Sequence, residues 1–289
     1  MAQIIDGKEM AQAVKQEVRT GVEALAQRGI SVELAVLVVG DDPASAAYVK
    51  GKHKDCQECG IVSDIIALPK TVGEEELLAR IQELNRQKTV NGILVQLPLP
   101  SHIDPQKVIN AILPEKDVDG FTPINAGNML LGQPCFLPCT PAGVVEMLRR
   151  GGIDPAGKEC VVLGRSNIVG KPVALLLTAQ NATVTLCHSK TRDIRKISAQ
   201  ADILVSAVGK ANFVTADMVK PGAVVVDVGI NRGPDGRLHG DVDYEAVEKV
   251  AGHITPVPGG VGLMTRAMLL ANTLRAARLQ NSLDPETGC

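Results

Sequence analysis

The stretch YVKGK contains one of only two tyrosines in the chain, Tyr48, four positions before Lys52. If this stretch is helical, both side chains project from one face, one turn apart. Such a pair of polar groups could face a cleft rather than solvent. The bland reading has Tyr48 packed on the core edge while Lys52 snorkels to water. Gln96 weighs against it, because an amide closing the apolar run GILVQL must find partners or be costly. The PLP that follows breaks the strand there. Asp117 and Asp119, in EKDVDGFTPINAG, add acids to the neighbourhood. Either could form an Asx-type turn. An aspartate pointing inward could instead accept two donors from a planar, amidine-like edge such as a pterin carries.

A second group of residues lies in ECVVLGRSNIVGKPVALLLTAQ, which reads as strand, turn and helix, with Gly164, Arg165, Ser166 and Gly170 in the turn. Glycine there lets backbone approach a phosphate, and the helix start, expected near Lys171, offers unpaired N–H groups. The pattern resembles a dinucleotide turn with serine in the middle glycine place. The next strand, ATVTLCHSKT, ends in His188, Ser189, Lys190 and Thr191 rather than in the acid that would meet the ribose hydroxyls of NAD. Hydroxyls and cations suit a 2′-phosphate, and Arg165 could add a charged fork, so NADP is the expected cofactor. A solvated polar loop is the competing reading. The glycines Gly259 and Gly260, in TPVPGGVGLMT, form a shaped loop expected to wall a substrate cleft.

These residues need a scaffold. ELAVLVVG (33–40), IVSDIIAL and GILVQL read as buried strands. Between them lie a helix over about 43–59, with Asp42 as N-cap, Pro43 at its first position and Gly60 closing it, and a helix introduced by a Thr71/Glu74 capping box. The β-α-β-α-β order implies parallel strands with ligands at their carboxyl ends. Thr140 and Pro141 open another helix before the break GGIDPAG. DILVSAVG and AVVVDVGIN add strands, a last helix runs from about Thr265 to Gln280, and NSLDPETGC reads as a frayed tail.

The bulk composition is that of an ordinary globule: 289 residues, 45% hydrophobic, 21% charged and a net charge of -2. The length suits two domains. The balance lacks the basic excess that nucleic acid requires, and no apolar run reaches the roughly 18 residues of a membrane span, so the reading is cytosolic, with neither partner. The seven scattered cysteines are expected as reduced thiols. A zinc site from Cys56, Cys59, Cys135 and Cys139 is the minor alternative, and no metal is expected.

The segments YVKGKHKDCQECGI, GILVQLPLP, PEKDVDGFTPINAG, GRSNIVGKP, ATVTLCHSKT and PVPGGVG follow one another between residues 45 and 265. Together they resemble the bifunctional methylenetetrahydrofolate dehydrogenase/methenyltetrahydrofolate cyclohydrolase (FolD) family. The resemblance implies an α/β protein of two domains flanking a cleft. One is a three-layer α/β catalytic domain (1–139 plus 266–289) and the other a Rossmann-type NADP-binding domain (140–265), in a homodimer. It also implies that Lys52 is the acid/base of the cyclohydrolase step and that Tyr48 lies along the folate. Gln96 would position Lys52, and Asp119 would grip the pterin, with Gly259 and Gly260 on the substrate. Gly164, Arg165, Ser166, Ser189 and Ile230 would line NADP. Lys50, His53 and Lys54 are the expected cationic neighbours of Lys52. The family commonly has proline where this chain has Leu263. Rival readings are another NADP-linked two-domain dehydrogenase, of the amino-acid type, and a dinucleotide-sensing module without turnover. A monofunctional relative is a third, against which Tyr48, Lys52 and Gln96 argue when found with the full cofactor turn.

Overall fold

The computed structural model describes residues 1–233 and 236–283, the side chains of 43, 44 and 47 excepted, so 284–289 of the expected tail lie outside the described residues. In chain order the first elements are β1 (Gln3–Ile4), α1 (Gly7–Ala26), β2 (Glu33–Val39), α2 (Pro43–Cys59), β3 (Val62–Leu68), α3 (Glu74–Arg86), β4 (Gly92–Val95), α4 (Pro105–Asn110) and α5 (Pro123–Leu131). They are followed by α6 (Cys139–Arg150), β5 (Glu159–Leu163), α7 (Gly170–Ala179), β6 (Thr183–Cys187), α8 (Ile194–Ser198), β7 (Ile203–Ser206) and β8 (Val224–Asp227). The last are β9 (Asn231–Arg232), β10 (Leu238–His239), α9 (Tyr244–Val247), β11 (His253–Ile254) and α10 (Val261–Gln280).

The chain divides into two compact units. One comprises Ala13–Cys139 and Arg266–Cys289, and the other Met1–Gln12 and Thr140–Thr265. The first twelve residues, expected with the 1–139 segment, group in this division with 140–265. The cause is a pairing that local sequence does not reveal: β1 lies parallel to β11, with Ile4 opposite Ile254.

In the first unit a three-stranded parallel sheet has the order β3-β2-β4. The central strand is the β-branched run ELAVLVV, buried along almost its whole length. Leu77, Ile81 and Leu84 of α3 pack into the same core as Leu37 and Ile93, each contributing about 2 kcal/mol through burial. α2 has the expected ends. Asp42 Oδ2 accepts from Ser45 N at 2.7 Å, and Gly60 closes the helix at φ 76°, where a side chain would be strained. The capping box at α3 does not form. Gly73 is the N-cap, and the Glu74 carboxylate reaches forward to Asp104 N (2.8 Å) and Lys107 Nζ (2.7 Å).

The second unit holds a six-stranded sheet, β1-β11-β8-β7-β5-β6, parallel at every pairing. β6 follows β5 in the chain but pairs on its outer side, whereas β7 pairs on the other. The order thus reverses at β5, and the crevice at the carboxyl ends of β5 and β7 is the place such sheets offer a ligand. Two expected helix starts shift. α6 begins at Cys139, with Thr140 Oγ1 bonded to Thr265 Oγ1 (2.9 Å) rather than capping, and α10 begins at Val261, four residues before the expected Thr265. Among the described residues no helix is long and apolar enough to cross a membrane, and no cluster of His, Cys, Asp or Glu could hold a metal ion. Cys56, Cys59, Cys139, Cys160 and Cys187 are free, buried thiols.

Candidate active site and nucleotide turn

α2 places Tyr48 and Lys52 one turn apart, Tyr48 with 37% of its surface exposed. Lys52 Nζ donates to Gln96 Oε1 at 3.1 Å. The orientation of that amide follows from its other end, since Gln96 Nε2 donates to Leu97 O at 2.7 Å, leaving the oxygen for the ammonium. Gln96 can do this because β4 stops at Val95, immediately before it.

The two aspartates take different roles. Asp117 is buried and internally satisfied, accepting from Phe121 N (3.1 Å), Thr122 N (2.7 Å) and Asn125 Nδ2 (2.9 Å). Its backbone also bridges to Ile93 of β4, which brings this segment to the strand that leads to Gln96. Asp119 is the aspartate that feels Lys52. Burial raises its pKa, and the charge of Lys52 acts in the opposite direction. The segment is pinned from beneath, where Asn272 Nδ2 donates to Val118 O (2.8 Å) and Leu137 O (3.0 Å) while the Cys139 thiol donates to Val118 O (3.3 Å). Burial and the neighbouring Asp119 push the Cys139 thiol well above its usual range, so it stays neutral.

The cationic neighbours expected for Lys52 are engaged elsewhere or point outward. Lys54 faces Glu58 (3.8 Å), His53 Nε2 is bonded to Gln57 (3.0 Å), and Lys50 is exposed. The cation that reaches this face is Arg266, which sequence reasoning missed. Its Nε lies 3.0 Å from Asp55 Oδ2, and a Cβ at Gly51 would fall 2.2 Å from its Nη1. The available signal was Gly51, a residue that weakens a helix interior and needs a reason to be there.

In the second unit Gly164 follows β5 at φ 111°, and a Cβ there would lie 2.2 Å from Ala207 O. Gly170 opens α7 with its own Cβ position 2.0 Å from Gly164 O. Only glycines allow the turn to close this tightly at the switch point. Ser166 Oγ accepts from Val169 N (3.1 Å) and Gly170 N (3.3 Å), so the serine in the middle glycine place caps the helix start. At the end of β6 a local turn forms, with His188 N donating to Thr191 Oγ1 (2.9 Å) and Lys190 N to His188 Nδ1 (3.1 Å). Ser189, Lys190 and Arg165 remain exposed. No acid stands at this strand end, and the exposed hydroxyl and cations fit a phosphorylated ribose. Ile230 is exposed just after β8. Gly259 has φ 111°, and a Cβ at Gly260 would fall 2.5 Å from Pro256 O; both glycines belong to this unit and not to the one that holds Lys52. Asp241 was also missed. It is fully buried and accepts from Val208 N (2.7 Å), Gly209 N (3.1 Å), Lys210 N (2.9 Å) and Asn231 Nδ2 (2.9 Å), which fixes the loop after β7.

Residues 5–119 match the family model for the catalytic domain of tetrahydrofolate dehydrogenase/cyclohydrolase, and residues 138–281 match that for its NAD(P)-binding domain. The bifunctional protein FolD of Geobacillus thermodenitrificans is 60% identical over 277 residues, covering 96% of this chain and 98% of that one. The crystal structure of the bifunctional FolD from Campylobacter jejuni is similar with a TM-score of 0.95 and 49% identity, covering 96% of this chain and 99% of that one. FolD from Trypanosoma brucei, solved with NADP cofactor and an inhibitor, gives 0.93 and 40%, covering 98% and 99%. With both domain models matched in order and relatives aligned nearly end to end, the chain belongs to the tetrahydrofolate dehydrogenase/cyclohydrolase family.

Proposed function

We propose that Lys52, positioned by Gln96, is the proton shuttle of this dehydrogenase/cyclohydrolase, and that Tyr48 and Asp119 hold the folate on either side of it. The enzyme oxidises 5,10-methylenetetrahydrofolate to the methenyl form and hydrolyses that to 10-formyltetrahydrofolate. The observation that carries the residue assignment is the Lys52–Gln96 hydrogen bond at 3.1 Å, with the Asp119 carboxyl close enough to sense the same ammonium.

Oxidation removes a hydride from the bridging methylene, and the two substrate nitrogens beside it stabilise the cation that results. No protein base is required, so the chain's task in that step is alignment. Bound NADP supplies the hydride acceptor. Gly164 and Gly170 would let backbone approach its phosphates. Ser166 would hold the turn, Arg165 and Ser189 would meet the 2′-phosphate, and Ile230 would add an apolar contact.

Hydrolysis needs protons moved. Water adds its oxygen to the methenyl carbon and gives a proton to Lys52 acting in its neutral amine form. The bond from that carbon to the pterin nitrogen then breaks as the new hydroxyl gives up its proton and becomes the formyl oxygen; Lys52 returns its proton to the nitrogen, the formyl group stays on the other nitrogen, and one proton is released overall. Gln96 Oε1 occupies one donor direction of Nζ, which aims the rest of the amine at the substrate. Asp119 accepts the two donors of the pterin's amino-pyrimidinone edge. Gly259 and Gly260 would contact the substrate through backbone. We also propose that the chain works in the cytoplasm as a homodimer, the reading the family resemblance supports, and sedimentation of the purified protein gives the mass that decides the second point.

The test is Lys52→Met. Methenyltetrahydrofolate hydrolysis is expected to fall by about a thousandfold or more, while NADP-dependent oxidation stays measurable. Hydrolysis at the wild-type rate in that variant would overturn the assignment.

A further inference from the structure

Asp119 stands between two residues whose backbones are held from outside their own segment. On one side is Val118, fully buried, whose carbonyl oxygen accepts from Asn272 Nδ2 at 2.8 Å and from the Cys139 thiol at 3.3 Å. That carbonyl and the N–H of Asp119 share one planar peptide unit, so fixing the oxygen fixes the plane from which residue 119 departs. On the other side is Gly120, at φ 72°, pressed so close to 136–138 that a Cβ there would lie 2.6 Å from Phe136 O. The direction in which the Asp119 side chain leaves the backbone thus depends on how 117–120 is seated against 136–139.

Two amides join these segments. Asn125 does so at the Asp117 end, where its Nδ2 donates to Asp117 Oδ2 (2.9 Å) and its Oδ1 accepts from Phe136 N (3.1 Å). Asn272 does so beside Asp119, and it comes from α10, 154 residues beyond Val118 in the chain. It is buried, and its one nitrogen donates to Val118 O and to Leu137 O (3.0 Å). Both hydrogens of that amide are therefore engaged by backbone carbonyls, one from each segment. Helix formation does not account for an asparagine here, since leucine has the same branched shape, forms helix more readily and gains more from burial. One turn on, Arg275 secures the second segment through Cys135 O (2.6 Å) and lies over the Phe136 ring.

We propose that Asn272 is a positioning residue for pterin recognition: by tying Val118 O to Leu137 O, it sets the direction of the Asp119 carboxyl. The inference rests on the reading in which Asp119 grips the pterin edge. A planar edge with two donors is held well only by a carboxyl group lying in its plane. A small rotation of the peptide between 118 and 119 therefore costs affinity. It leaves Lys52 where α2 and Gln96 hold it. Asn272 acts through Asp119 rather than on the reacting atoms, so its loss appears in binding and not in turnover.

The experiment is a double-mutant cycle on the whole chain, read by calorimetric titration with tetrahydrofolate, which carries the pterin edge but no one-carbon unit. Asn272→Leu removes both donors while keeping the branched shape, and is expected to weaken binding about tenfold. KM for methenyltetrahydrofolate should rise in parallel, with kcat within about twofold and NADP affinity unchanged. Asp119→Ala is expected to weaken tetrahydrofolate binding about tenfold or more by itself. The double variant is expected to bind no more weakly than Asp119→Ala, because residues that act through one another are not additive. Asn272→Ser keeps a single donor. It should lie between wild type and Asn272→Leu, and it runs the same cycle should the leucine variant not fold. Binding by Asn272→Leu at wild-type strength, or a loss that adds in full to that of Asp119→Ala, would overturn the proposal. Wild-type binding by Asp119→Ala would instead overturn the placement of the pterin, and this inference with it, so the two failures are told apart.

Discussion

The unit around Lys52 and the unit around Gly164 position their functional atoms by different means. The first uses side chains: an ammonium held by an amide, a carboxyl raised by burial and opposed by that ammonium, and a guanidinium clamped by Asp55. The second uses backbone: two glycines in mutual contact, a serine capping a helix start, and a loop whose N–H groups converge on Asp241. Proton transfer needs groups that titrate, whereas a diphosphate needs close approach and N–H donors. Under the proposed assignment each site holds the kind of group its chemistry requires. The two should therefore fail differently, the first by loss of a functional group and the second by gain of a single carbon.

The largest separation expected is the Lys52→Met loss of hydrolysis described above. Its counterpart is Gly170→Ala. A Cβ at 170 would stand 2.0 Å from Gly164 O, so the turn must open. NADP affinity is expected to drop by roughly tenfold to a hundredfold, or about 1.4–3 kcal/mol, while hydrolysis of added methenyltetrahydrofolate, which uses no nucleotide, is unchanged. Calorimetric titration with NADP beside the hydrolysis assay reads both. A variant that lost both activities together would erase the contrast between the units.

How far the sequence revealed this contrast depended on whether the cause was local. β2 and α2 were legible from a β-branched run and from Asp42 and Gly60, because capping and strand burial act over a few residues. That Gln96 would join Tyr48 and Lys52 was legible because an amide closing an apolar strand must find partners, whereas its pairing with Lys52 came from the family resemblance. The Thr71 capping box failed because Glu74 found Asp104 and Lys107, partners from another helix. The pairing of β1 with β11 was not legible, because it joins the start of the chain to a strand about 250 residues away. That either aspartate could form a turn was legible, but which one does so depends on the donors that Phe121, Thr122 and Asn125 bring to Asp117. Arg266 was invisible for a similar reason, since nothing near it in sequence indicates that it rests on Gly51.

A smaller effect probes the loops behind the nucleotide turn through pH. Burial raises the Asp227 carboxyl to about 6, against the lowering action of the N–H groups of Asp241, Val242 and Gly229. A carboxyl raised in the folded state holds its proton there at pH values where the unfolded chain has released it. Its contribution is therefore most favourable below about pH 4 and is lost as pH rises to about 6, a change on the order of 2–3 kcal/mol. Other carboxyls titrate as well, so the readout is a difference: urea unfolding of wild type against Asp227→Asn, with the wild-type margin shrinking from pH 4 to pH 6 and level above. A margin constant across that range would show that the N–H donors fully offset burial.

The smallest effect expected concerns Leu263, where the family commonly has proline. α10 begins at Val261, so residue 263 lies in its first turn, and its N–H bonds Gly260 O at 3.2 Å. A proline there removes that one hydrogen bond but meets no carbonyl of a preceding helical turn, and its fixed φ suits a helix start. Glycine at 262 has the freedom to accept the restriction a following proline imposes. Leu263→Pro is expected to lower stability by about 1 kcal/mol or less and to leave both activities within about twofold. The variant thereby reads whether the side-chain site shares the sensitivity to backbone that otherwise marks the nucleotide turn: KM and kcat for hydrolysis are expected to hold, and a rise in KM with NADP affinity unchanged would show that it does.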